Sequence, residues 1–269
     1  MAMTLAKDRD ANVRAAASPL TLLSQTATFM RTFMIVLIGL CATSAFACEP
    51  GALGTSRVLK VSTAERTGVG HSYPALGLAH GEIILTFDDG PKPETTSAIL
   101  DTLAKECVQA TFFMIGKRAE AHPELAARVR EAGHTIGSHS YNHRELNNII
   151  YEDAAQDIQR GYDAVEKAAF GSVADRPRLV RFPGFKSTPE LVSFVRTHHS
   201  TVVDVNISPA DWRGQPAGVT FERLKRLFDR QDRGIVILHD NQSETVKLLP
   251  MLIAEMKSRN MRIVHLEAE

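Results

Sequence analysis

Two adjacent carboxylates, Asp88 and Asp89, stand between the apolar run Ile83-Ile84-Leu85-Thr86-Phe87 and the pair Gly90-Pro91. Gly and Pro stop a strand and force a turn, so both carboxylates fall at the carboxyl end of a buried strand. Successive side chains leaving a strand point in different directions. One aspartate can therefore hold a cation while the other stays free as a base. Alone, Asp-Gly is also a common turn cap, and the residues downstream decide between the two readings. His139 and His143 are four apart, which predicts both imidazoles on one side of a helical turn. A further ligand such as Asp89 would give two nitrogens and one carboxylate oxygen, with a position left for water, as in catalytic zinc sites. Two histidines at this spacing are on their own more often surface residues. Beside Asp-Asp-Gly they read as ligands.

These residues need elements to carry them. Short β-branched runs at Ile83–Phe87, Thr111–Ile115, Thr135–Gly137, Leu179–Arg181, Thr201–Val205, Ile235–Leu238 and Arg262–Leu266 predict about seven strands. Amphipathic stretches predict helices at Thr95–Glu106, Pro123–Ala132, Tyr151–Ala169, Pro189–His198, Thr220–Arg230 and Glu244–Arg259. The alternation indicates an α/β domain with mostly parallel strands, and either an open doubly wound sheet or an incomplete barrel fits it. On this map Asp88-Asp89, His139–His143, Arg181–Gly184, Asp211-Trp212 and His239 all follow the carboxyl ends of strands. Parallel α/β folds build their sites on that face.

Lys plus Arg and Asp plus Glu balance at 31 each in the 269 residues, so no basic excess points to nucleic acid or an anionic membrane surface. Arg31, the apolar run Phe33–Leu40 and Ala45-Phe46-Ala47 read as a secretory signal peptide cut after Ala47. The expected location is therefore exported, periplasmic or secreted, with no membrane span left after cleavage. The polar, mixed-charge segment before Met30 is foreign to such a signal and suggests a translation start at Met30. Residues 1–47 thus form an extension plus signal, 48–80 a linker or surface arm rich in Gly, Ser and Thr, and 81–269 the catalytic domain. Phe46 beside the cut argues against lipidation of Cys48. Cys107 ends a helix and reads as a buried apolar residue in preference to a disulfide partner of Cys48.

Taken together, Thr86-Phe87-Asp88-Asp89-Gly90, His139-Ser140-x-x-His143, Arg181-x-Pro183, Asp211-Trp212 and Leu238-His239 resemble, in order and approximate spacing, the polysaccharide deacetylase family. This is the NodB-homology domain, carbohydrate esterase family four. The resemblance implies an irregular (β/α) barrel of about seven parallel strands, a divalent metal, usually zinc, and removal of acetyl groups from a glycan substrate. It implies Asp89, His139 and His143 as metal ligands, Asp88 as general base and His239 as general acid. Arg181 resembles the arginine that holds the base, and Asp211 the acid that orients the histidine. The Gly184 backbone N–H resembles an oxyanion donor. Trp212 and Leu238 are similar to walls of the acetyl pocket, with Phe185 a further candidate wall of the substrate site. Tyr141 and Asn142, between the histidines, either line the sugar groove or pack the turn.

The third motif departs from the family, reading Arg181-Phe182-Pro183-Gly184-Phe185 where Arg-Pro-Pro and an aromatic are usual. The stretch from Asp204 to Asp211 is longer than usual, which leaves Asp204 as a rival partner for His239. The remaining histidines (71, 80, 122, 134, 198, 199 and 265) share no motif with a carboxylate and read as surface or packed residues. The expected activity is N-deacetylation of an N-acetylglucosamine-containing glycan. The alternatives are an O-acetyl esterase on xylan or a similar glycan, a non-catalytic glycan-binding protein on the same fold, and a hydrolase of non-sugar amides.

Overall fold

The computed structural model describes residues 48–63, 68–72 and 76–269. The expected signal peptide and the expected Met30 start lie outside the described residues. The strands are β1 (Thr55–Val61), β2 (Gly68–Val69), β3 (Glu82–Asp88), β4 (Thr111–Met114), β5 (Thr135–Ser138), β6 (Arg178–Val180), β7 (Ser200–Val203), β8 (Gly234–His239) and β9 (Arg262–Ala268). The helices are α1 (Pro93–Lys105), α2 (Gly116–Ala121), α3 (Pro123–Glu131), α4 (Tyr151–Phe170), α5 (Pro189–Thr197), α6 (Ala217–Arg230) and α7 (Ser243–Ser258). Pro93, Pro123 and Pro189 each open a helix, where the missing N–H costs nothing.

All pairings are parallel. The order β8-β3-β4-β5-β6-β7 curls until Ile207, just past β7, bridges back to Val236 of β8. The result is a nearly closed (β/α) barrel. This closure explains the long stretch before Asp211. Asn206 N and Ile207 N both donate to the Ile235 carbonyl at 3.0 Å, and Asn206 Oδ1 accepts Ile235 N–H at 3.0 Å. Alternation along β3 divides the core in two. Ile84 joins Phe113, Leu179, Val203 and Ile235 in a cluster whose buried members all come from strands, which is the barrel interior. Ile83, Leu85 and Phe87 face outward against Ile99 and Leu103 of α1 and Leu248 and Leu252 of α7.

The segment expected to be a linker or surface arm supplies two strands. β1 runs parallel to β9, and Arg57 reaches Glu82 of β3 with two hydrogen bonds of 2.9 and 2.7 Å. The pattern was weak because β1 is an edge strand with only Val61 fully buried. A second correction concerns the cysteines. Cys48 and Cys107 form a disulfide, so Cys107 is not a free apolar residue and the Cys48 sulfur has no valence for a lipid. Glu106 sits beside it and accepts Leu53 N–H at 2.9 Å. The bridge spans 59 residues, for which loop-entropy arguments give about 4 kcal/mol. The Cys48→Ser/Cys107→Ser protein is expected to lose roughly that much stability in urea. An unchanged midpoint would contradict the tie.

Of the histidines read as surface or packed, His134 and His265 are packed. His134 is 6% exposed, and its Nδ1 accepts Ala110 N–H at 3.1 Å, which requires the neutral ring. Burial, reinforced by the charge of His265, pushes its pKa down to about 4. Its folded value lies below the unfolded one, so protons favour the unfolded chain. Stability is full above the ordinary histidine pKa of about 6.5 and falls as pH drops toward 4, by about 3 kcal/mol at most. His134→Gln keeps an acceptor and is expected to flatten that acid slope in denaturant titrations. An identical slope would show that His134 does not carry it.

Candidate active site

The inward alternation that buries Ile84 also aims Thr86 and Asp88 into the barrel. Asp88 ends β3 at 2% exposure. Its partner Arg181 leaves β6 and is wholly buried, the guanidinium carbon 4.2 Å from the centroid of the Phe113 ring. Arg181 Nη1 donates to Asp88 Oδ1 at 2.5 Å and to Thr86 Oγ1 at 2.9 Å, while Nε donates to the Val203 carbonyl at 2.9 Å. Burial lowers the Arg181 pKa, and the Asp88 charge opposes that shift. Asp88 Oδ1 is thus held, and Oδ2 is left facing His139 Nε2 at 3.7 Å.

The chain then enters the left-handed region at Asp89 (φ 75°), a conformation aspartate tolerates. That twist swings the next carboxylate to the other side of the turn. Arg118 of α2 fixes it by donating to the Asp89 carbonyl at 2.5 Å. Asp89 Oδ1 lies 3.1 Å from His143 Nε2 and 3.6 Å from His139 Nε2. His139 Nδ1 is spent on the Arg181 carbonyl at 2.7 Å, so its Nε2 presents a lone pair. One potential ligand atom from each of Asp89, His139 and His143 lies within 4.8 Å of the others. Asp89 Oδ1 is buried with no well-directed hydrogen bond. An orphaned carboxylate oxygen facing two imidazole nitrogens fits a divalent cation such as zinc.

The electrostatics agree with that cluster. Burial would raise the Asp89 carboxyl, but the close approach of the His143 ring, with His139 and His239 nearby, outweighs it and holds the pKa at about 2. Burial lowers the His139 pKa, and the adjacent Asp89 carboxylate raises that of His143. The histidines do not sit on a helical turn, as their spacing suggested. Ser140 (φ 60°) and His143 (φ 58°) make a loop. Asp157 of α4 replaces the helical acceptors, its Oδ1 taking the N–H groups of Tyr141 and Asn142 at 2.9 and 3.2 Å. Asp157 carried no sequence signal, because its role appears only once α4 packs beneath the loop.

On the same rim, in register with Asp88 on the neighbouring strand, His239 ends β8. Its Nδ1 lies 2.8 Å from Asp211 Oδ1, and Asp211 Oδ2 accepts from His239 N and Thr245 Oγ1, each at 2.7 Å. Asp204 is excluded as the partner, since its oxygens accept from Val205 N and Ser72 N. Burial would push the His239 pKa down, but the hydrogen bond and charge of Asp211 prevail and raise it.

Two expected groove residues fall elsewhere. Leu238 is wholly buried in the outer layer with Phe87 and Leu224. The strand period puts Ile237, not Leu238, on the face of His239, and counting by two from the histidine would have found it. Tyr141 is 6% exposed, its hydroxyl bonded to Glu120 at 2.6 Å and to Arg160 at 2.7 Å, so it packs the loop and does not line a groove. Trp212 and Phe185 are 54% and 44% exposed. Gly184 adopts φ 59° and ψ 14°, a conformation that favours glycine. A cleft of about 450 Å³ opens beside the cluster, lined by Asp89, Lys117, Arg118 and His143 among others. A larger cleft, about 540 Å³, lies by Gly70, Arg233 and Gly234. It contains none of these residues, and Gly234 starts the strand that His239 ends.

A nearly closed parallel barrel thus carries a two-histidine, one-carboxylate cluster on its carboxyl rim. The chain belongs to the polysaccharide deacetylase family, whose profile, described as polysaccharide deacetylase, matches residues 78–203. A chitooligosaccharide deacetylase of Rhizobium leguminosarum bv. trifolii is 41% identical over 158 residues, 59% of this chain and 71% of that protein. A peptidoglycan-N-acetylglucosamine deacetylase of Listeria monocytogenes is 29% identical over 185 residues, covering 69% of this chain but 38% of its own length. The chain therefore spans well under half of that relative. The solved structure of a Bdellovibrio bacteriovorus peptidoglycan deacetylase superposes with a TM-score of 0.71 at 30% identity, covering 81% of this chain and 60% of that one.

Proposed function

We propose that this protein is an exported, metal-dependent deacetylase that hydrolyses N-acetyl groups on N-acetylglucosamine units of a peptidoglycan- or chitin-like glycan. The observation that carries it is the pair of oriented groups on the barrel rim: Asp88 pinned by Arg181, and His239 pinned by Asp211, with the Asp89–His139–His143 cluster beside them. Zinc held by that cluster would supply Lewis acidity to the attacking water and to the acetyl carbonyl.

Asp88 takes the proton from water through Oδ2, because Oδ1 is committed to Arg181. The water oxygen bonds to the carbonyl carbon, and the Gly184 N–H donates to the oxyanion that forms. His239 then gives a proton to the sugar nitrogen as the carbon–nitrogen bond breaks, releasing acetate and a free amine. Asp211 keeps the His239 Nδ1–H in place, so the proton delivered is the one on Nε2. Trp212 and Phe185, both exposed, would supply apolar surface for the substrate. The disulfide supports an oxidising compartment, and among the described residues no helix is long and apolar enough to cross a membrane.

The test compares N-acetylglucosamine oligomers with acetylated xylan, measuring acetate and primary amine together. Equal yields of both from the oligomers support the amide chemistry. Acetate from xylan alone would favour the esterase alternative, in which the alkoxide leaving group depends less on His239.

A further inference from the structure

One buried carboxylate is left unused by this chemistry. Asp240 follows His239, is 1% exposed, and reaches the turn carrying Asp88 and Asp89 by several routes. Its backbone N–H donates to the Asp88 carbonyl at 3.1 Å. Its Oδ2 accepts from Thr96 Oγ1 at 2.6 Å, and the same hydroxyl accepts Lys92 N–H at 2.8 Å. The neighbouring Asn241 places Nδ2 3.3 Å from Asp89 Oδ2. The last route is steric. A Cβ on Gly90 would lie 2.0 Å from Asp240 Oδ2 and 2.5 Å from Oδ1, so the carboxyl group rests on the Gly90 α-carbon. Gly90 is absent from the left-handed residues, and glycine is needed here for space, not for backbone freedom.

A carboxyl group is an expensive filler for a sealed space, where an apolar side chain of similar size would carry no desolvation cost. Asp240 Oδ1 is buried without a partner among the described residues. We propose that Asp240 is a positioning residue for deacetylation: its carboxyl, braced by Thr96, packs on Gly90 and fixes the turn that presents Asp88 and Asp89. The two carboxylates are adjacent in sequence yet must serve different partners. Arg181 anchors only the first. The angle at which the second meets His139 and His143 is set by Arg118 at the Asp89 carbonyl and by the turn that follows, which is gripped from Asp240, Asn241 and Thr96. The inference rests on Asp88 as the base and Asp89 as a ligand, as proposed above.

The test is a double-variant cycle on the full chain with Asp240→Ala, Gly90→Ala and the two combined, plus Asp240→Asn, reading kcat, KM and zinc affinity. Gly90→Ala forces its new methyl against the carboxyl. It is expected to cut kcat by about 10- to 100-fold, as misplacement by an ångström does, with KM little changed. Asp240→Ala is expected to lower kcat by about tenfold. In the Asp240→Ala background the added methyl has room, so Gly90→Ala should then cost less than about twofold. Asp240→Asn keeps an oxygen for Thr96 and the planar contact with Gly90, and should restore most of kcat to a folded protein. Multiplying losses in the double variant, or an Asn variant as impaired as the Ala variant, would overturn the proposal. If the parent chain released no acetate, the proposed function would fail. The same coupling in zinc affinity would then still support or overturn the clamp.

Discussion

Asp88→Asn is expected to keep its zinc and lose its turnover, with kcat falling by about 10²- to 10⁴-fold, the usual contribution of a general base. Asparagine has the same shape, and its carbonyl oxygen can take the place of Oδ1 in the bond from Arg181. The amide nitrogen then occupies the position of Oδ2, where it has no lone pair for a proton. Asp88 is not among the three residues whose ligand atoms converge, so metal content should stay near that of the parent. A second consequence is structural. Arg181 is wholly buried, and the substitution removes its counter-charge. Leaving a buried charge uncompensated costs about 3–5 kcal/mol, less here because the acceptor is kept. Activity must therefore be measured at a temperature where circular dichroism shows the variant folded. Full turnover in such a sample would remove Asp88 from the mechanism.

His143→Ala is expected to do the opposite to the metal. It should weaken zinc binding by more than about 100-fold, beyond what loss of a group behind a ligand does, and acetate release should fall with it. The side chain is 41% exposed, so little packing is lost and the fold should survive. The local electrostatics give a second readout. Asp89 is held at about 2 against its burial by His143 first and by the other histidine charges after it. Without His143 its pKa should climb toward the ordinary carboxylate range, visible by NMR of the metal-free variant. An unchanged zinc stoichiometry and affinity would show that the ligand set is wrong.

The parts of this molecule that obey a local period were legible in the sequence. Ile83–Phe87 and Ile235–Leu238 announce strands by composition, and the Gly-Pro break after Asp89 is enough to put the carboxylates on the rim. What was missed depends on contacts made at long range. The 139–143 loop takes left-handed conformations because Asp157, on a later helix, supplies its acceptors. β1 is an edge strand whose partner β9 lies at the other end of the described chain. The disulfide needs Cys48 and Cys107 brought within a Cα distance of 5.5 Å by the docking of that same edge. The resemblance put Leu238 at the acetyl pocket, whereas the fold buries it in the outer layer with Phe87. His239 fixes which face looks inward, and one residue of slip turns a pocket wall into a core residue. Tyr141 shows the same limit in a loop, where no period says which way a side chain turns.

On the proposed reading, the cluster of Asp89, His139 and His143, with Asp88 and His239, removes acetyl groups from amino sugars. Acetate release by the purified chain, loaded with zinc and given N-acetylglucosamine oligomers with and without a chelator, tests it most directly. Release is expected to stop with the chelator and to return when zinc is restored. A folded, zinc-loaded sample that releases no acetate, or releases it equally in the presence of the chelator, would contradict it.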